Sequence, residues 1–132
     1  MNNTKNNEVK IAIVDDHQML REGLFHCITI WGYSVIIQAC NGQDLLEKLS
    51  EMNLPDICIL DLNMPVLNGY ETINILKKTW PTIKILVFSM NITKDTPGNT
   101  FNADAVISKS SGLSELKGAL QRLIESNIAS LQ

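Results

Sequence analysis

What this sequence lacks narrows it first. Its three cysteines, Cys27, Cys40 and Cys58, are an odd number and stand at no metal-ligand spacing, which argues against a disulfide framework or a structural zinc site. All three lie in apolar segments, so buried free thiols in a reducing cytoplasm are expected. No apolar run approaches the ~20 residues that span a bilayer, so no membrane association is expected. Residues 1–8 are polar and Asn-rich, without the apolar core of a signal peptide, and read as a frayed tail. Positive charge is not in excess: 11 Lys and Arg face 14 Asp and Glu, a net charge of −3, which gives no general footprint for nucleic acid. There are no repeats, and no linker divides the chain. What remains is 132 residues, 45% of them hydrophobic, enough for one domain with one proper core.

The stretch that organises this core is Ile57-Cys58-Ile59-Leu60-Asp61-Leu62-Asn63-Met64-Pro65. A short apolar run that meets a turn reads as a strand buried on both faces. Asp61 then stands at the carboxyl end of a central strand, at the mouth of a sheet.

The other elements fall on either side. Residues 9–14 form a strand that ends on Asp15-Asp16. Residues 17–31 carry Leu20, Leu24, Cys27, Ile28 and Trp31 at helical spacing, with Gly32 as a stop. His17 starts that helix, and His26 falls on its surface. Residues 33–39 are a second strand. Asn41 caps a second helix with Asp44 in its first turn, and Leu45, Leu46, Leu49 and Met52 are its expected buried stripe. Asn68-Gly69 opens a third helix with Tyr70, Ile73, Leu76 and Trp80 on one face, and Pro81 stops it. Residues 83–88 are a strand that ends on Ser89, and residues 105–107 are a short strand near Lys109. The last helix covers residues 112–127, with Ser111 as cap and Leu113, Leu116, Leu120, Leu123 and Ile124 facing in. Residues 90–102 carry Pro97-Gly98 and no apolar stripe, so a fourth helix there is expected to be short or irregular.

Strands alternating with helices imply an α/β fold, a parallel sheet covered on both faces. With right-handed crossovers this predicts a five-stranded, flavodoxin-like doubly wound sheet in order 2-1-3-4-5. Ligands bind such sheets outside the carboxyl ends of the strands, at the switch point between strands one and three. Those ends carry Asp15, Asp16 and Asp61, and neighbouring ends carry Ser89 and Lys109. Singly, each is an ordinary turn or surface residue; together at one end of one sheet they form a site. Three carboxylates in one place repel unless a cation joins them. Hard oxygen donors favour Mg²⁺, which binds phosphate oxygens alongside carboxylates. A carboxylate is a competent nucleophile for phosphoryl transfer, a reaction that needs mostly positioning and charge stabilisation. Lys109 supplies a point charge and Ser89 a hydrogen-bond donor.

On these residues the chain resembles a receiver domain of two-component response regulators. The resemblance rests on Asp15-Asp16-His17 with Arg21, on Asp61-Leu62-Asn63-Met64-Pro65-Val66-Leu67-Asn68-Gly69, on Ser89, and on Ala103-Asp104 leading to Lys109. It covers residues 9–127, leaving 1–8 and 128–132 as tails. The Asp-Asp-His start is similar to the LuxR/NarL-type subgroup, whose receivers precede a helix-turn-helix domain. The resemblance implies that Asp61 is the phosphoacceptor. Asp16, Asp61 and the backbone carbonyl of Asn63 would contact Mg²⁺, with Asp15 acting mainly through water, and Ser89 and Lys109 would grip the phosphoryl group. It implies a sensor histidine kinase as partner, and a homodimer as a further one. DNA would be reached only through a C-terminal domain absent from this chain. The chain would be a cytoplasmic switch, not a turnover enzyme, and would catalyse only its own phosphorylation and dephosphorylation. Asn63 and Asn91, each two residues after a site residue, are positions that tune dephosphorylation in the family.

The chain departs from the family pattern at the output side. Val106 stands where an aromatic residue is frequent on the fifth strand, Asn102 where Gly is frequent, and Ser110 where Pro is frequent. These departures keep one alternative in view, a pseudo-receiver that acts as an interaction module without phosphorylation. Two other classes fit less well. An aspartate-nucleophile phosphatase needs an acid where Asn63 stands, and an FMN carrier needs a Ser/Thr-rich loop where the acid pair stands.

Overall fold

The architecture was determined as a computed structural model that describes residues 9–90, 92 and 102–130. Five parallel strands lie in the order β2-β1-β3-β4-β5. They are β1 (Lys10–Val14), β2 (Ser34–Ala39), β3 (Ile57–Leu60), β4 (Lys84–Ser89) and β5 (Ala105–Ser108). The helices are α1 (Gln18–Ile30), α2 (Gly42–Lys48), α3 (Gly69–Thr79) and α4 (Leu113–Ser130), and a 3-10 turn, Lys109–Ser111, joins β5 to α4.

Side chains alternate across a strand, and here the alternation sorts them into two cores. Ile11, Ile13, Ile57, Ile59, Leu86 and Phe88 face α1 and α4, where they meet Leu24, Ile28, Leu116 and Leu120. Ala12, Val14, Cys58, Leu60, Ile85 and Val87 face α2 and α3, where they meet Leu45, Ile73 and Leu76. Strand β3 is buried along its whole length, because helices cover both of its faces. Each fully buried Ile or Leu contributes roughly 1.5–3 kcal/mol, so the centre of the sheet is the rigid base of everything at its carboxyl edge.

Local signals set the helix starts. The Asn41 side chain accepts the Asp44 N–H at 2.8 Å. Asn68 and Glu71 form a reciprocal capping box at α3, which satisfies two N–H groups that the helix leaves open. His17 caps α1, in line with its expected place at that helix start. Trp31 and Trp80 pack, half-buried, against the two cores.

Several expectations need correction. Met52 is 98% exposed: α2 ends at Lys48, and the chain turns extended at Leu49 before the helical stripe can reach Met52. Tyr70 and Leu113 are also exposed. At α3 the buried partner of Ile73 and Leu76 is Thr72, whose hydroxyl donates back to the Asn68 carbonyl at 2.7 Å and so is buried with its donor satisfied. Ser111 ends the 3-10 turn and Gly112 precedes α4 at φ +93°, so the cap expected at Ser111 is not formed there. Helix α4 continues past residue 127 to Ser130. Cys58 is buried, but Cys27 is half-buried and Cys40 exposed. The expected short fourth helix over residues 90–102 falls mostly outside the described residues, as does Asn91. Of that segment Met90 is exposed, Ile92 is buried in the α2/α3 core, and Asn102 takes the left-handed conformation at φ +57°.

Candidate functional site

The sheet register delivers the site. Val14 pairs with Leu60, and Leu60 with Val87, so the residues that follow emerge side by side. The ladder runs one step further into the loops: Asp61 N–H donates to the Val14 carbonyl and Asp15 N–H to the Ala39 carbonyl, each at 3.0 Å. Asp15 and Asp61 are thereby held as firmly as strand residues although both lie beyond strand ends.

Each acid also folds the chain after it. Asp15 Oδ1 accepts the His17 N–H at 2.9 Å, and Asp61 Oδ1 accepts the Asn63 N–H at 3.3 Å. This is the local turn chemistry of Asp. Arg21 reaches back from α1 and donates to the Asp15 carbonyl at 2.6 Å.

Around this frame the predicted residues converge. Ser89 Oγ donates to Asp61 Oδ1 at 2.8 Å. Lys109 Nζ bridges the acids, at 2.6 Å from Asp15 Oδ2 and 3.2 Å from Asp61 Oδ2. Both Asp61 oxygens therefore accept hydrogen bonds. Carboxylate oxygens of Asp15, Asp16 and Asp61 lie within 4.8 Å of one another. Asp15, Asp61 and Ser89 are buried and Asp16 is exposed, so the cluster opens to solvent on the Asp16 side. A cavity of about 450 Å³ lies there, lined by Asp15, Asp16, His17, Leu20, Asp61, Met90 and Lys109.

The loop from Asp61 to Gly69 is bound tightly to β3. Gly69 N–H donates to the Leu62 carbonyl at 3.0 Å. A Cβ at Gly69 would fall 2.5 Å from the Asp61 carbonyl oxygen and 2.6 Å from Leu62 Cα. Only glycine lets the start of α3 come this close to the backbone that carries Asp61. The same loop holds Val66 at φ +69°, a conformation that β-branched residues avoid.

Sequence reasoning brought together Asp15, Asp16, Asp61, Ser89 and Lys109, and the structure places all five in one site. It missed the role of Gly69 as a spacer; the Asn-Gly pair was visible, but read only as a helix start. It missed Leu20 and Met90 as cavity lining, for which no local signal existed.

The sequence profile of the response regulator receiver domain family matches residues 11–121. The chain belongs to that family. It is 30% identical to the response regulator GacA of Pseudomonas aeruginosa over 118 residues, 87% of this chain and 55% of that one. It is 40% identical to the nitrate/nitrite response regulator protein NarL of Escherichia coli over 82 residues, 61% of this chain and 38% of that one. Among solved structures it is similar to the response regulator protein TrrA of Thermotoga maritima in complex with Mg²⁺-BeF. The TM-score there is 0.75 at 29% identity, with 87% of this chain and 98% of that chain covered. This receiver domain spans between 36% and 60% of the length of the first curated relatives it matches. Among the described residues no helix is long and apolar enough to cross a membrane.

Proposed function

We propose that this receiver domain is switched by transfer of a phosphoryl group onto Asp61. The observation that carries this reading is the pairing of a buried carboxylate with a fixed cation and a fixed donor: Lys109 Nζ at 3.2 Å and Ser89 Oγ at 2.8 Å. One Asp61 oxygen attacks phosphorus, an O–P bond forms, and the bond to the donor breaks with its electron pair leaving on the donor. The charge that gathers on the equatorial oxygens needs partners. Lys109 and Ser89 already converge on Asp61, and a small side-chain shift moves their bonds from the carboxylate to the phosphoryl oxygens.

The donor set fits a hard divalent cation. Three carboxylates within 4.8 Å and no soft ligand among them match Mg²⁺. Asp16, Asp61 and the Asn63 carbonyl would hold it directly and Asp15 through water. When bound, it would neutralise the acids and the incoming phosphoryl oxygens. The exposed amide of Asn63, where a phosphatase would need its second acid, supports a stable adduct over turnover on an outside substrate. With every chemical residue in place, no observation favours the pseudo-receiver.

The donor is a sensor histidine kinase, and residues 9–127 with the following turn of α4 are the switched unit. The likeness to NarL-type regulators supports a DNA-binding domain beyond this chain as the output, and a homodimer as one form of the switched state.

The test is direct. With acetyl phosphate and Mg²⁺, intact mass spectrometry is expected to show one phosphoryl adduct per chain, absent from Asp61→Asn and suppressed by a chelator. A folded protein that gains no adduct, or an adduct that survives Asp61→Asn, overturns the proposal.

A further inference from the structure

Arg21 is a cation in an unfavourable place. It is the fourth residue of α1, whose first turn carries no acidic residue, so its charge lies at the positive end of the helix dipole. It is half-buried, and its guanidinium turns back to the chain before the helix, where Nη1 donates to the Asp15 carbonyl at 2.6 Å. That bond is short and charge-assisted, and no step of the phosphoryl transfer uses it. What it fixes is the peptide between Asp15 and Asp16. The Asp15 carbonyl and the Asp16 N–H lie in one plane, so holding the oxygen holds the plane from which Asp16 leaves.

The three acids differ in how their carboxylates are held. Asp15 and Asp61 are buried and share Lys109 at 2.6 and 3.2 Å, and Ser89 adds a bond to Asp61 at 2.8 Å. Asp16 is exposed, and among the described residues nothing hydrogen-bonds its carboxylate. Its carboxylate oxygen still comes within 4.8 Å of those of the other two. Its place in the cluster is therefore inherited from its backbone. On one side the His17 N–H is tied to Asp15 Oδ1 at 2.9 Å. On the other side the Asp15 N–H is tied to Ala39 at 3.0 Å and the Asp15 carbonyl to Arg21. Of these ties the Arg21 bond is the one made by a side chain from another element.

We propose that Arg21 is a positioning residue for the divalent cation: by clamping the Asp15–Asp16 peptide it aims Asp16 into the acid cluster. The proposal rests on the reading of that cluster as a Mg²⁺ site beside the phosphoacceptor Asp61. A ligand that is already ordered binds its metal more tightly than one that must be ordered on binding, which is why the partners behind metal ligands set affinity. A plain counter-charge at Arg21 makes the opposite prediction. Removing a cation that only repels Mg²⁺ tightens binding, whereas removing a clamp weakens it. The sign of the change separates the two.

The test titrates Mg²⁺ alone into the protein by calorimetry. Arg21→Met keeps an unbranched stem with good helix propensity and removes a charge that opposes the helix dipole, so it is expected to fold. The thermal midpoint in chelator checks this, and Arg21→Gln takes its place if it does not. Mg²⁺ affinity is expected to fall about tenfold in Arg21→Met. The Mg²⁺ concentration that half-saturates adduct formation from acetyl phosphate should rise by the same factor, with a smaller change in the maximal rate. The bond to the carbonyl is a single one, so Arg21→Lys, which keeps a donor and the charge, is expected to recover most of the affinity. Unchanged or tighter Mg²⁺ binding in folded Arg21→Met overturns the proposal. So does Arg21→Lys as weak as Arg21→Met, a loss of maximal rate with half-saturation unmoved, or wild-type protein that binds no Mg²⁺. Wild-type protein that binds Mg²⁺ but gains no adduct defeats the assignment of Asp61 instead, and leaves the calorimetric result to judge Arg21.

Discussion

At the ends of β1 and β3 stand two acids with the same local design. Each follows its strand by one residue, continues the ladder at 3.0 Å, and accepts the N–H two residues on. Their other contacts differ. Asp15 holds Lys109 at 2.6 Å and has Arg21 on its carbonyl at 2.6 Å. Asp61 has Lys109 at the longer 3.2 Å, a 3.3 Å bond to Asn63, and the Ser89 hydroxyl at 2.8 Å. Short, charge-assisted bonds fix a group; longer ones leave it available. Asp15 reads as the anchor that aims the lysine, and Asp61 as the group the lysine is aimed at.

The strongest attempt to break this contrast removes the lysine. Lys109→Met leaves two buried carboxylates facing each other, and is expected to lower the unfolding free energy by about 3–5 kcal/mol, read from the urea midpoint. A loss under ~1 kcal/mol would mean that the bridge is a solvated surface pair. Single removal of each acid then sharpens the comparison. Asp15→Asn takes away the short partner and Asp61→Asn the long one, so Asp15→Asn should be the less stable by about 1–2 kcal/mol. Equal urea midpoints would mean that the two acids hold the lysine alike.

Two loop substitutions probe why Asp61 has the position it has. Gly69→Ala forces a Cβ against the Asp61 carbonyl and is expected to cost about 1–3 kcal/mol and to slow adduct formation as Asp61 shifts. An alanine variant with wild-type rate and midpoint would show that the loop adapts freely. Val66→Gly acts the other way. It relieves a left-handed valine, offset in part by glycine's greater unfolded freedom, for a net gain of about 0.5–1 kcal/mol. A drop in melting temperature would refute the strain.

The smallest effect lies away from the site, at Asp44. Burial pushes its carboxyl upward, but the Cys40 N–H and Lys48 outweigh this and hold it below its ordinary value of 3.8. A depressed folded pKa contributes stability above the unfolded pKa, and that contribution is lost as pH falls through the folded one. Asp44→Asn should therefore trail wild type in melting temperature at neutral pH and draw level in acid. A gap that widens with acid would contradict the assignment.

Much of this was legible beforehand, for definite reasons. Strand β3 and its terminal Asp61 showed because a buried strand must be apolar throughout and a charge must mark where it leaves the sheet. The cap at Asn41 and the helix start at Asn68-Gly69 showed because such signals act within four residues, whereas the Asn68–Glu71 capping box came only with the structure. The misjudged positions share a different origin. Helical spacing names a face but not where the helix stops, so Met52 fits the spacing of a stripe although α2 ends at Lys48, before reaching it. Tyr70 and Leu113 sit in first turns, where a neighbouring element has to arrive to cover them. Cys40 follows β2 directly, and its exposure depends on how the next loop departs.

By itself the sequence determined the alternation of elements, the two-sided burial of β3 and the identity of the chemical groups, because periodicity, capping and residue type are local properties. Only the tertiary structure decided that Lys109 bridges Asp15 and Asp61, that Gly69 must be bare to let α3 touch the Asp61 backbone, and that His17, Leu20 and Met90 line one cavity with Asp61. Those relations join residues up to 94 positions apart, and nothing in either stretch alone sets the distance between them.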